Sequence, residues 1–140
     1  MKTVRVVNVS RGTIVADRVQ VADTWAGRLR GLLGRPALAP GQGLLLTPCR
    51  AVHTFGMRYP IDVVYAARDG RVVLVRYRMG PGRLGPWVRT AAWVLELAAG
   101  TVGARGVAAG DRLALLPTEG GFPPCAEGCF PPCAPVNRSG

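Results

Sequence analysis

The chain has 140 residues and a formal net charge of +10, with 49% hydrophobic and only 6% aromatic residues. This length suits a single domain, and the hydrophobic content excludes a chain that is disordered throughout. The charge comes almost entirely from arginine, and it favours anionic partners through a long-range field. The arginine-rich residues 71–89 contain no aromatic ladder and no known nucleic-acid-binding motif. Nucleic acid is therefore not an expected partner.

The first predicted elements are two strands and a helix. Valine-rich residues 4–7 predict one strand, residues 10–12 a turn, and residues 13–15 the start of a second strand. A short helix is predicted within residues 22–36, because its apolar residues recur with the spacing of one helix face. These residues are Trp25, Leu29, Leu32 and Leu33. Asp23 or Thr24 can cap the start of this helix, and Gly34 can end it.

The remainder of the folded part is predicted to be β. Strands are expected at residues 43–47, 51–55, 61–67, 72–79, 91–99 and 111–117. Residues 91–99 fit a helix or a strand by pattern alone, and their Trp, Val and Leu content favours a strand. In residues 72–79 we expect Val75, Tyr77 and Met79 on one face and Arg76 and Arg78 on the other.

Many short strands, one short helix in the N-terminal half and glycine-rich turns predict a mostly β, compact, barrel-like or sandwich fold. Residues 1–117 form this single domain in our interpretation. Residues 118–140 are rich in Pro, Gly and Cys and predict a disordered, flexible tail. The N-terminus lacks the apolar core of a signal peptide, and no apolar run is long enough to span a bilayer. We therefore expect a cytoplasmic protein.

One candidate site lies in residues 49–62. Cys49 and His53 are four residues apart, so both side chains share a face if the segment is extended. An imidazole beside a thiol can activate a nucleophile, and the same pair with Asp62 could bind zinc. The alternative is a buried thiol and a hydrogen-bonded core imidazole.

Two carboxylates in apolar strands are further candidates. Asp62 and Glu96 are each flanked by aliphatic residues, where an unpaired charge is costly. Asp62 could pair with Arg58 or His53, or it could accept hydrogen bonds from backbone amides in the bend after Pro60. The two carboxylates could also face one cavity as general acid and base, or pair with arginines at the sheet edge.

The tail repeats the sequence FPPCA and places Cys125, Cys129 and Cys133 at every fourth position. This spacing is not that of paired zinc knuckles. The thiols could still bind a soft metal, one could pair with Cys49, or the tail could be a simple extension or a partner-binding peptide. Common nucleotide, protease and hydrolase motifs are absent from the sequence, and no cofactor is predicted.

The segments RLRGLLGR, GQGLLLTPCRAVHTFGMRYPIDVVYAARDGRVV and VLELAAGTVGARGVAAGD resemble domain-of-unknown-function family 192 over roughly residues 20–116. The most specific block is residues 53–65, where FGMRYPID corresponds to the family's aromatic-Met-Lys/Arg and Pro-(Leu/Ile)-Asp phrase. Gly56 stands where many members carry Trp. The resemblance implies a small β-rich domain and a focal segment from His53 to Asp62, and it implies no established activity. Many members are exported or membrane-tethered behind a signal that this chain lacks.

These observations favour a non-enzymatic domain that binds a small anionic ligand or a protein partner. Its predicted binding residues are His53, Met57, Arg58 and Asp62, with Glu96 and Cys49 as further contributors. Arg58 suits a carboxylate or phosphate group through its bidentate fork. Two alternatives remain open. One is a small hydrolase or thiol enzyme that uses Cys49, His53 and Asp62, and the other is a metal-responsive scaffold that uses the tail cysteines.

Overall fold

The computed structural model describes residues 2–32 and 34–118. These residues form a mostly β structure with seven strands and two short helices. In chain order the elements are β1 (Thr3–Asn8), β2 (Thr13–Ala22), α1 (Trp25–Arg30), β3 (Gln42–Leu46), β4 (Ile61–Ala66), β5 (Val72–Met79), β6 (Trp93–Ala98), α2 (Thr101–Arg105) and β7 (Leu113–Pro117).

The strands form one sheet in the order β5-β4-β6-β3-β2-β1-β7, which curls into a half-barrel. The β2–β3 pair is parallel, and its crossover connection carries α1. The other neighbouring pairs described are antiparallel. A bridge between Arg71 and Arg112 brings the turn before β5 against the start of β7. The barrel-like, mostly β fold predicted from the sequence is confirmed.

Both faces of the central strands are buried, and each face has its own apolar core. One core contains Val64, Leu95 and Leu97 and packs against α2 through Val102. The other contains Val63, Tyr65 and Val94 and is covered by the segments between the strands, including Leu32, Val52 and Met57. Burial on both faces explains why β4 and β6 read as nearly continuous apolar runs. It also means that every polar residue in these strands points into a core.

The helix α1 is shorter than predicted. It begins at Trp25, where Thr24 Oγ1 accepts a hydrogen bond from Gly27 N at 3.0 Å, and it ends at Arg30. Gly31 takes a φ of +52°, which glycine adopts at little cost and which stops the helix. The part of the predicted apolar face that lies in the helix is not buried, because Trp25 is 73% exposed and Leu29 is 59% exposed. Leu32 is buried but lies beyond the helix, and Leu33 lies outside the described residues.

A second short helix, α2, follows β6 in addition to the one predicted in the N-terminal half. Two further predictions need correction. Residues 51–55 form no strand, and their only ladder contact among the described residues is the bridge between His53 and Leu84. The alternation predicted for β5 fails because Ile61 pairs with Met79 while Val63 pairs with Arg76, which leaves an extra residue in β5. This β-bulge places Val75 and Met79 against different cores.

The predicted tail lies outside the described residues except for Thr118. The Thr118 side chain follows β7 directly and donates a hydrogen bond from Oγ1 to Thr3 O at 3.3 Å. The repeat with Cys125, Cys129 and Cys133 belongs to the part of the chain that the structure does not describe.

Candidate functional site

A pocket of about 250 Å³ lies between α1, residues 49–57 and the sheet. Four of the six predicted site residues line it, namely Cys49, His53, Met57 and Glu96. The strand β6 supplies Glu96, which pairs with Leu44 of β3. The connection after β3 supplies the other three. The structure therefore brings most of the predicted residues together, with Glu96 at the sheet side of the pocket.

Glu96 is a buried acid with an unused oxygen. Its side chain is only 3% exposed, and Oε1 has no hydrogen-bond partner among the described residues. Burial raises the pKa of Glu96 from 4.5 to about 8, and the positive charge of Arg35 offsets part of this effect. The carboxyl group is therefore mostly protonated at neutral pH, and it can both donate and accept a hydrogen bond.

The end of α1 lies close to this acid. A Cβ atom at Gly31 would lie 3.7 Å from Glu96 Oε1. The positive φ of Gly31 ends the helix and lets the chain turn down towards β6 at this point. The sequence signal for this arrangement is the glycine inside the predicted helix, whereas Gly34 was the residue expected to end it.

Cys49 is half-buried, and its thiol donates a hydrogen bond to Ala51 O at 3.0 Å. Burial raises the pKa of the Cys49 thiol. The charge of Glu96 adds to the increase. A thiol with a raised pKa is protonated at neutral pH and is a weak nucleophile. The surroundings of Cys49 therefore do not activate it.

His53 is oriented by its own segment. Its Nδ1 accepts a hydrogen bond from Phe55 N at 3.3 Å, and its ring stacks on Phe55 with centroids 5.3 Å apart. The Cys49 proton is directed to Ala51 O, so the thiol–imidazole pair considered from the sequence is not formed. Met57 is buried at the floor of the same region, where it belongs to the core.

Asp62 does not line this pocket. It pairs with Leu97, whereas its neighbour Val63 pairs with Glu96, so the two carboxylates lie on opposite faces of the sheet. The alternative in which they share a cavity is therefore wrong. Asp62 is 1% exposed and accepts hydrogen bonds from three backbone amides, those of Arg78 at 2.8 Å, Gly100 at 3.0 Å and Val102 at 2.9 Å.

The partner predicted for Asp62 also needs correction. Neither Arg58 nor His53 contacts it, and backbone amides satisfy its oxygens as the third alternative stated. These amides belong to the bulge of β5 and the start of α2, not to the bend after Pro60. Arg58 is exposed and lies beside a different cavity, next to Tyr59 and Arg35.

The mouth of the Glu96 pocket contains residues that the sequence did not indicate. Trp25, Leu29 and Phe55 line it and are each at least half exposed. Arg28 and Arg30 line it as well, and the Arg28 guanidinium donates to Asp23 O at 3.0 Å. The helical spacing of Trp25 and Leu29 was the available signal, but it pointed to a core contact and not to a pocket rim.

Within residues 2–32 and 34–118, no three His, Cys, Asp or Glu side chains are grouped as metal ligands would be. The combination of Cys49, His53 and Asp62 fails because Asp62 faces the other core. The tail cysteines lie outside the described residues. No helix in the described part of the chain is both long and apolar enough to cross a membrane.

The comparisons with known proteins agree with the resemblance. Domain-of-unknown-function family 192, described as "Uncharacterized ACR", matches residues 6–115. A Sinorhizobium meliloti crystal structure, named a "putative transcription regulator", is 30% identical with a TM-score of 0.70, covering 81% of this chain and 92% of its own. A Novosphingobium aromaticivorans protein of unknown function is 22% identical with a TM-score of 0.66, covering 80% and 83%. No curated protein matches the sequence. The chain belongs to domain-of-unknown-function family 192.

Proposed function

We propose that this domain binds a small carboxylate-bearing molecule with an apolar body in the Glu96 pocket, without chemical conversion. The observation that carries the proposal is the buried Oε1 of Glu96, which has no hydrogen-bond partner among the described residues. An unmade hydrogen bond of this kind costs about 1–3 kcal/mol. A ligand that supplies the partner recovers that cost on binding.

The protonation of Glu96 selects the polar end of the ligand. A pKa of about 8 keeps a proton on the carboxyl group at neutral pH. This proton can be donated to a ligand carboxylate in a short, charge-assisted O–H···O⁻ hydrogen bond. Arg28 and Arg30 line the same pocket. Their positive charges favour an anionic ligand and oppose an amine.

The pocket walls select the body of the ligand. Leu46 and Val52 are buried on its inner side, and Trp25, Leu29 and Phe55 present exposed apolar surface at its mouth. Exposed aromatic and aliphatic groups around a cavity with few polar groups are typical of small-molecule sites. A volume of about 250 Å³ is at the small end for such sites, which favours a compact ligand.

A thiol enzyme is less consistent with this geometry. The pKa of Cys49 is raised, its proton is directed to a backbone carbonyl, and Asp62 lies on the other face of the sheet. We also retain the prediction that nucleic acid is not the partner, although the Sinorhizobium relative is named for transcription. The described helices have six and five residues, too short for a recognition helix in a major groove. The cytoplasmic location stays a prediction.

The test uses three probes with one body and different polar ends, namely phenylpropionate, phenylpropanol and phenylpropylamine. Each is titrated into the full chain and followed by ¹H–¹⁵N NMR. We expect phenylpropionate to bind best and to shift the amides of residues 49–57 and of Glu96. Its affinity should fall above pH 8, because an ionised Glu96 repels it.

Glu96→Gln should weaken phenylpropionate binding by about tenfold, since the amide replaces a strong charge-assisted donor. Asp17→Asn is the control, because it makes the same acid-to-amide change at an exposed site outside this pocket. Equal affinity of the Glu96→Gln and Asp17→Asn variants would refute the proposal. Tighter binding of phenylpropylamine, strengthening above pH 8, would refute it as well.

A further inference from the structure

A second cavity lies where the end of β5 meets the loop of residues 80–86, and it has a volume of about 300 Å³. Arg76, Arg78 and Arg83 line it, and all three residues are exposed. Tyr77 and Leu84 add apolar surface, being 61% and 72% exposed. We call this cavity the arginine cleft. None of the residues that line the Glu96 pocket belongs to it.

The positive charge of the arginine cleft is not neutralised by ion pairs within the described residues. The salt bridges among the described residues join Arg11 to Asp111, Arg18 to Asp17 and Arg112 to Asp69, and none of them involves an arginine of the cleft. The carboxylate of Asp62 is occupied by three backbone amides, and Glu96 lies in the other pocket. Three arginine residues line this one cavity, so their charges leave a local excess of positive charge, which attracts anions.

A buried carboxylate fixes the backbone that carries Arg78. Arg78 has a φ of +48°, a left-handed conformation that is unfavourable for a non-glycine residue. Its N–H donates to Asp62 Oδ1 at 2.8 Å, and Asp62 is 1% exposed. A charge-assisted bond of this kind offsets the cost of the left-handed conformation. The bulge of β5 is thereby held in one geometry, and the position at which Arg78 emerges is set.

A buried hydroxyl fixes the loop that carries Arg83. Thr54 is fully buried, and its Oγ1 accepts a hydrogen bond from Arg83 N at 2.8 Å and donates one to Gly80 O at 2.6 Å. The backbone N–H of Thr54 donates to Arg83 O at 2.8 Å. Gly82 N in turn donates to Thr54 O at 2.9 Å. These hydrogen bonds to Thr54 anchor the loop at both ends. The backbone of Arg83 is therefore held in place before a ligand binds.

We propose that the arginine cleft binds a small ligand that carries a diphosphate group. An arginine fork can form two hydrogen bonds with phosphate oxygens. The combined positive charge of three arginines exceeds the negative charge of a single monoanion. A diphosphate has adjacent, multiply charged groups that can engage more than one fork. Because Asp62 and Thr54 anchor the backbone beforehand, less conformational freedom is lost on binding than in an unanchored loop. This site is separate from the Glu96 pocket, and its function does not depend on that pocket.

The test titrates inorganic pyrophosphate and ADP into the full chain by calorimetry and ¹H–¹⁵N NMR. The cleft variant carries Arg76→Gln, Arg78→Gln and Arg83→Gln. The matched control carries Arg68→Gln, Arg89→Gln and Arg105→Gln, which removes the same charge from exposed positions outside the cleft. We expect the wild type and the control to bind both probes, with shifts centred on residues 76–86. The cleft variant should bind about tenfold more weakly or not at all.

Equal loss of affinity in the two triple variants would overturn the proposal, because it would show a diffuse effect of net charge. Unchanged affinity in the cleft variant would overturn it as well. Much tighter binding of a single-stranded oligonucleotide than of either diphosphate at the cleft would also overturn the proposal. That result would show that the cleft binds a macromolecule. Circular dichroism of the cleft variant confirms that it is folded before its affinity is interpreted.

Discussion

The charge state of Glu96 should control how the stability of this protein depends on pH. The pKa of Glu96 is about 8 in the folded protein, because burial disfavours the ionised form, and its ordinary value is 4.5. Between these two values the folded protein holds a proton that the unfolded chain has lost. The free energy of unfolding therefore falls as pH rises from 4.5 to about 8.

The magnitude follows from the interval between the two pKa values. Each pKa unit is about 1.4 kcal/mol, so the full interval corresponds to about 5 kcal/mol of stability lost by pH 8. This is a large share of the 5–15 kcal/mol that holds a typical domain folded. Glu96→Gln keeps the shape of the side chain and removes its ionisation. The variant should lose this share of the pH dependence and should be more stable than the wild type above pH 8.

The measurement is urea unfolding of both proteins at pH values from 5 to 9, followed by circular dichroism. The difference between the two proteins isolates Glu96, because every other titrating group is common to both. We expect this difference to change steadily across the interval and to level off above pH 8. A constant difference from pH 5 to pH 9 would refute the reasoning. It would mean that Glu96 is ionised in the folded protein at neutral pH, and the donor role proposed for it would also fail.

Three further predictions concern Asp62, Cys49 and Asp111. Asp62→Ala leaves three backbone N–H groups without their acceptor, so urea unfolding should show a free energy of unfolding lower by about 3–6 kcal/mol. A loss below about 1 kcal/mol would contradict the role of Asp62. Cys49 should react with iodoacetamide more slowly than glutathione at pH 7, because burial raises the pKa of its thiol. Peptide mapping measures the alkylation of Cys49 separately from that of the tail cysteines, and a rate faster than that of glutathione would contradict the prediction. For Asp111, hydrogen bonds from Asn8 and Arg11 outweigh the effect of burial and lower the pKa below 3.8. The stability that Asp111 contributes is therefore present above this pH and is lost as pH falls through the lowered pKa, so unfolding curves of the wild type and Asp111→Asn should converge in acid.

The strands were predictable from sequence because β-branched and apolar residues were bounded by turn residues. The segment at residues 72–79 was predicted with the bounds that β5 has, and the β preference at residues 91–99 was confirmed by β6. The side-chain directions were less predictable. In β5 the alternation was interrupted by a bulge at Arg78, a left-handed position where glycine would have been the usual signal. Nothing in the residue type at that position indicated the bulge.

The α1 segment shows a different limit. Spacing alone indicated that Trp25 and Leu29 belonged to a buried helix face, yet both are exposed. The helix ends at Arg30 because the chain turns at Gly31, and among the described residues of the predicted face only Leu32, beyond the helix, is buried. Periodicity tells which residues share a face, but it does not tell what lies opposite that face.

Asp62 and Glu96 show why the site could be located in sequence only in part. Both are acids between aliphatic residues on neighbouring strands, and both faces of those strands are apolar, so no pattern separates them. The difference lies in backbone groups contributed from elsewhere in the chain. Three amides from the β5 bulge and from the start of α2 saturate Asp62, whereas no described group meets Glu96 Oε1.

This difference in hydrogen bonding predicts opposite consequences for the two acids. A carboxylate whose acceptor capacity is filled by the fold has nothing left for a ligand, so substitution of Asp62 should act on folding. A protonated carboxyl with an unused oxygen in a pocket has capacity left, so substitution of Glu96 should act on binding and on the pH dependence of stability. A buried acid in an apolar strand therefore indicates a binding site only where the surrounding backbone leaves its oxygens unsatisfied. By this criterion we expect the proposed binding site on the face of β6 that carries Glu96.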